Sequence, residues 1–239
     1  MNLRTLAALT LVVAPPALLA GCGTVVGGPP GASVSEEREV GDGVRVVSLD
    51  GVGDVRLSTG DEPSLRLTAG ENVIERVITD VRGDVLVLDL DGPMWGFPGD
   101  ITYDLVLPEV EELRVDGAGS VDADLSPGES LTVDLDGAGD LNASGVDVAD
   151  LTVSVDGAGS VALDGRAERQ TVSIDGVGEY SGENLVSIDA DVTIGGAGSA
   201  RVHATGTLRA AVDGAGEIVH TGGAGVTSEV SGAGEVREG

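Results

Sequence analysis

A Gly-x-Gly step recurs through this chain at a near-constant interval, and few folds accommodate such a pattern. The pairs are Gly117/Gly119, Gly137/Gly139, Gly157/Gly159, Gly176/Gly178, Gly196/Gly198, Gly214/Gly216 and Gly232/Gly234. Their first glycines are spaced by 20, 20, 19, 20, 18 and 18 residues, and an earlier copy stands at Gly51/Gly53. A fixed period near 20 means one supersecondary unit stacked on itself. In such an array each unit touches mainly its neighbours.

One unit shows what is being stacked. Leu131, Val133, Leu135, Gly137, Gly139 and Leu141 share one face at period two, while Thr132, Asp134, Asp136, Ala138 and Asp140 share the other. The alternation returns over 153–161 and 192–200. It is the pattern of a half-buried strand, with β-branched residues on the apolar side. Ser126-Pro127-Gly128, Asp164-Gly165-Arg166 and Thr221-Gly222-Gly223 read as tight corners between short strands. About 20 residues are too few for a propeller blade, and the Leu/Asn signature of leucine-rich repeats is missing. A Gly-Gly-x-Gly-x-Asp nonapeptide solenoid has about half this period. The expectation is an all-β, single-stranded parallel β-helix with ~20-residue coils, each adding roughly 4.8 Å along the axis. The glycines would stack inward as a column, letting opposing sheet walls approach closely.

Composition narrows the function. The 239 residues carry a net charge of −28, with 41 acidic side chains against 13 arginines and no lysine. Binding of nucleic acid through a basic surface is excluded on that balance, and an anionic membrane surface should repel the chain. Aromatics make up 2% of the residues, which leaves Val, Leu, Ile and Ala to build the core.

The lone cysteine permits no internal disulfide. It follows Arg4 and an apolar run over 6–20, in the sequence Leu19-Ala20-Gly21-Cys22. That segment resembles a bacterial lipoprotein signal peptide with its lipobox, and is too short to be read as a membrane span. The resemblance implies that Cys22 is acylated and becomes the mature N-terminus. The expected organisation is a signal peptide at 1–21, the lipidated cysteine and a flexible tether at 22–42, and a β-helix domain at 43–239. Residues 44–108, with fewer glycines, read as the first coils with longer turns.

Three stretches carry a wider resemblance: Val44 to Leu57 with Leu49-Asp50-Gly51-Val52-Gly53, Leu65 to Asn72 leading to Asp84 to Leu88, and Leu107-Pro108 followed by Leu113 to Val121. Over roughly 44–239 the chain resembles the head GIN domain proteins, described as auto-transporter adhesins. The resemblance implies a right-handed β-helix and an exported, often lipid-anchored protein, and brings no catalytic residues with it.

Several side chains stand out for chemistry. Asp116, Asp136, Asp156, Asp175 and Asp213 each precede a Gly-x-Gly step and would form an outward row interrupted by Gly195. Ca²⁺ would relieve their repulsion, although single carboxylates on strands are poorly spaced for six or more ligands, so no cofactor is expected and the row reads as a solvated face. Trp95 and Phe97 lie in Met94-Trp95-Gly96-Phe97-Pro98, either as a ligand contact or as a cap on the apolar interior. His203 and His220 are separated by close to one coil and would neighbour one another. Tyr180 falls on the inward face. No nucleophile–histidine pair and no distinct carboxylate pair emerges. The expectation is therefore a non-enzymatic, extracytoplasmic module anchored to the membrane by lipid, binding a glycan or an envelope or surface protein. An envelope scaffold without a discrete ligand is the alternative, and a carbohydrate-active enzyme a weaker one.

Overall fold

The computed structural model describes residues 31–92 and 98–239. In chain order its strands are β1 (Ser33–Arg38), β2 (Val46–Leu49), β3 (Val52–Thr59), β4 (Ser64–Gly70), β5 (Val77–Arg82), β6 (Val85–Leu90), β7 (Thr102–Leu107), β8 (Glu112–Val115), β9 (Ala118–Asp124), β10 (Ser130–Leu135), β11 (Asp140–Val155), β12 (Ser160–Ile174), β13 (Glu179–Ile194), β14 (Ser199–Val212), β15 (Glu217–Thr221), β16 (Gly225–Val230) and β17 (Glu235–Glu238). A 3₁₀ turn, Ile74–Arg76, is the one helical piece among the described residues. All seventeen strands join in one hydrogen-bonded sheet that winds into a parallel β-solenoid.

Each coil has a strand on a first face, a corner that is Gly-x-Gly in every coil but the β6/β7 one, a strand on a second face and a return bend. On the first face β6, β2, β8 and β10 are followed by the C-terminal halves of β11 to β14 and then β16. On the second face β7, β3 and β9 are followed by the N-terminal halves of β11 to β14, then β15 and β17. The expected corner at Asp164-Gly165-Arg166 is not a break between strands. It lies inside the 15-residue β12, as a register slip against its neighbours. The long strands bend there and create a short third face. Gly145, with φ +73°, supplies the bend in β11 at a place where a side chain would strike the Leu125 carbonyl.

The coils are not stacked in chain order. The coil formed by β2 and β3 sits between the β6/β7 coil, which follows it in sequence, and the β8/β9 coil. Val52 pairs with Ala118 and Gly53 with Gly119, so the isolated early glycine step underlies the main series. At the β6/β7 end the winding is closed by antiparallel strands: β5 on β6, β4 on β7 and β1 on β4. Residues 33–38, expected as tether, form β1 of this closure, so the folded region begins ahead of residue 43.

The glycines do not hold opposing walls together. Their contact is with the preceding coil. At each corner the first glycine's carbonyl accepts the N–H of the middle residue one coil on: Ala138 to Gly117 at 3.1 Å, Ala158 to Gly137 at 3.1 Å, Ala197 to Gly176 at 3.0 Å. A Cβ on Gly137, Gly157 or Gly196 would stand well under 3.0 Å from the carbonyl of the glycine beneath it. Close packing of successive corners is what excludes side chains there.

Period-two alternation fills the interior. Leu131, Val133 and Leu135 on one coil lie in register with Leu151, Val153 and Val155 on the next, all at 1% exposure or less. Burial of each such side chain contributes about 1.5–3 kcal/mol. Among them lies one polar group of residues. Tyr180 donates to Gln170 Oε1 at 3.0 Å, Gln170 Nε2 donates to Ser187 Oγ at 2.7 Å, and Ser187 donates to the His203 carbonyl at 3.0 Å. Tyr180 is core, as its inward position predicted. By contrast the buried hydroxyl of Tyr103 has no partner among the described residues.

Candidate functional site: the outward faces of the stack

Because inward positions are used for packing, function must lie on outward residues, whose rows are set by register. Asp116, Asp136, Asp156, Asp175 and Asp213 are all exposed at successive corners. Asp50 joins them below Asp116, and Asp175 leans into the space left by Gly195. Burial lifts the Asp116 carboxyl above its ordinary range, and Asp50 and Asp136 push it further. Asp134 is lifted too, first by burial and then by its hydrogen bond to Glu112. The row is linear, with at most one carboxylate per coil and none at Gly195. Among the described residues no group of three or more His, Cys, Asp or Glu is arranged to hold a metal ion.

The second face solves the charge problem differently. Asp54, Ser120, Asp140, Ser160, Glu179, Ser199 and Glu217 follow one another in register across the coils. As far as Glu217 carboxylates alternate with serines, so like charges sit two coils apart, roughly 10 Å, about one Debye length; on the last coil Glu235 stands directly beside Glu217. Ser120 donates to Asp54 at 2.8 Å and Ser160 to Asp140 at 2.6 Å. Arginines in the adjoining row close the remainder: Arg201 on Glu179, and Arg237 on Glu217 at 2.5 Å. The sequence reading missed this ladder, although the Gly-x-Gly-Ser and Gly-x-Gly-Asp/Glu alternation carried the signal.

On the third face Arg166 makes two hydrogen bonds to Asp147, 2.7 and 2.5 Å, and holds its carboxyl below the usual range. Beside this pair Val186 and Ile188 are 44% and 54% exposed and border a shallow groove with Pro127, Val148 and Ala167.

His203 and His220 do not form a pair. Register sets His203 opposite Thr221 and His220 opposite Val202, one position out of phase and thus on opposite sides of the sheet. His203 Nδ1 lies 3.2 Å from Thr221 Oγ1. Cys22, Trp95 and Phe97 lie outside the described residues.

Comparisons with known proteins agree with this architecture. The family model described as "Putative auto-transporter adhesin, head GIN domain" matches residues 45–224. A crystal structure of a putative adhesin from Bacteroides fragilis superposes with TM-score 0.81 at 20% identity, covering 87% of this chain and 97% of that one. A putative lipid binding protein from Parabacteroides distasonis has TM-score 0.66 at 21% identity, with the same coverages of 87% and 97%. A putative adhesin from Parabacteroides merdae has TM-score 0.66 at 22% identity, again over 87% and 97%. At these identities the likeness is one of fold. A comparison with curated proteins finds no match. With its glycine corners, its coil length and a family match over most of its folded length, the chain belongs to the head GIN domain family of putative auto-transporter adhesins.

Proposed function

We propose that this protein is a non-catalytic surface interaction module, held outside the cytoplasm by a lipid on Cys22. The observation that carries the reading is the combination of family membership with a stack of flat, ordered outward faces. Enzymes gather reacting groups in a concave pocket. Here the polar side chains run in parallel rows, which suits contact with an extended partner along the solenoid. The Bacteroides fragilis and Parabacteroides merdae relatives are described as putative adhesins, which favours adhesion.

The lipobox-like Leu19-Ala20-Gly21-Cys22 supports the anchor. Residues 23–32 would then span from lipid to β1 as the tether. Two assays test the whole reading. Cells displaying the protein are scored for adhesion to glycan-coated and protein-coated surfaces against cells lacking it. Metabolic labelling with palmitate is compared between the natural chain and Cys22→Ser. Adhesion that depends on the protein, with label lost in Cys22→Ser, is the expected result. Equal adhesion with and without the protein would overturn the module, and label retained in Cys22→Ser would overturn the anchor.

A further inference from the structure

The first face holds an uncharged patch that none of the charge-balancing devices above occupies. Thr132, Thr152 and Thr171 stand in register on β10, β11 and β12. Two residues along, Ser154, Ser173 and Thr193 stand in register on β11, β12 and β13. All six point outward, between buried Leu131/Val133, Leu151/Val153/Val155, Val172/Ile174 and Val192/Ile194. The rows repeat at roughly 4.8 Å along the axis and are about 6.6 Å apart along the strands. None of the six hydroxyls has a hydrogen-bond partner among the described residues. Ser120 and Ser160 on the second face, by contrast, are committed to carboxylates.

Charge frames the patch instead of crossing it. Along the axis Asp134 with the Glu112–Arg114 ion pair lies at one end and Asp191 with Arg209 at the other, and along the strands the Asp150–Arg169 pair flanks one edge and Asp156 and Asp175 the other. In a chain of net charge −28 such a neutral field selects against polyanions, which the surrounding carboxylates repel. It offers no anionic pocket for a cationic ligand either. A hydroxyl both donates and accepts. A regular grid of unengaged hydroxyls therefore complements a polymer that repeats the same groups.

We infer that this grid is the docking face for a neutral, linear polysaccharide laid along the solenoid axis, meeting both hydroxyls on β11 and β12 and one on each of β10 and β13. The inference rests on the surface-module reading and adds its ligand class and position.

Affinity electrophoresis of the purified full chain in mild detergent tests it. The gels contain hydroxyethyl cellulose, dextran or yeast mannan, with polygalacturonate as the acidic comparison. The variant Thr152→Val/Thr171→Val/Ser154→Ala/Ser173→Ala removes four hydroxyls without altering charge. Ser120→Ala/Ser160→Ala is the second-face control, and thermal melts report folding. The expected result is retardation by at least one neutral polymer, weakened tenfold or more in the four-site variant and unchanged in the control. Should the four-site variant melt early, the double Thr152→Val/Thr171→Val is read in its place, with a threefold or greater loss expected. No retardation by any neutral polymer, equal retardation by polygalacturonate, or unchanged retardation in the folded variant would each overturn the inference. Adhesion that persists without polysaccharide binding would sink the grid while leaving the surface module standing.

Discussion

Gly137 lies over the carbonyl of Gly117, which accepts the Ala138 N–H at 3.1 Å. Its φ is not in the left-handed region, so its identity follows from proximity and not from backbone conformation. A Cβ there would meet main chain, which has little room to yield. Gly137→Ala is expected to cost about 3 kcal/mol or more, at the top of the range for overpacking. Gly128, with ordinary φ and no atom within 4 Å of where a Cβ would stand, gives the opposite expectation. Gly128→Ala should be neutral or stabilising by about 0.4–1 kcal/mol. Urea melts of the two variants measure both.

The two buried tyrosines should respond to the same substitution in opposite ways. Tyr180→Phe leaves Gln170 Oε1 without its donor and is expected to cost about 1–3 kcal/mol. Tyr103→Phe removes a hydroxyl that has no partner among the described residues, so stability should hold or rise by about 1 kcal/mol. Burial raises the pKa of both phenols, so neither hydroxyl ionises in the ordinary tyrosine range. A lower Tm for Tyr103→Phe than for the natural chain would contradict this account.

Depth in the stack should grade the cost of truncation. Val212 and Val230 occupy the same inward row on adjacent coils, at 0% and 44% exposure. Val212→Ala should cost about 2 kcal/mol and Val230→Ala under about 1 kcal/mol. Amide exchange should be correspondingly faster over 225–238 than over β13.

Acid should first stabilise the fold. The native pKa values of Asp116 and Asp134 are raised, so between the unfolded and native values the folded chain binds more protons. Stability therefore rises as pH falls from neutral toward the ordinary aspartate value of about 3.9. Asp147, held low by Arg166, acts the other way, and its contribution is lost as pH falls below that value. The two partly exposed carboxylates contribute a few tenths of a kcal/mol each after solvent screening. Thermal melts from pH 7 to 3 should show a maximum, and Asp134→Asn should flatten its upper limb.

Period-two alternation made the strands legible, because every inward residue repeats a choice dictated by the same interior. Tyr180 was readable as core for that reason. The histidines were misread as neighbours because a spacing near one coil says nothing of phase. β14 and β15 pair without a slip, Ser199 against Glu217 and His203 against Thr221, so the spacing from His203 to His220 falls one residue short of the coil and leaves them on opposite sides. The Asp54–Ser120–Asp140–Ser160 ladder was unread for a related reason: its members are far apart in the chain and become a row only when coils stack.

The sequence by itself determined the coil. Glycine at the corner, alternation along each strand and a period near 20 are local properties, and close packing of identical units leaves one way to repeat them. The order of the coils was decided only in the tertiary structure. β2 and β3 insert between β6/β7 and β8/β9 because Gly51 and Gly53 supply the side-chain-free surface on which Gly117 and Gly119 can seat. Asp89-Leu90 offers no such corner. That selection is made by contact between segments over sixty residues apart, where matching backbone surfaces, not chain adjacency, set which strand pairs with which.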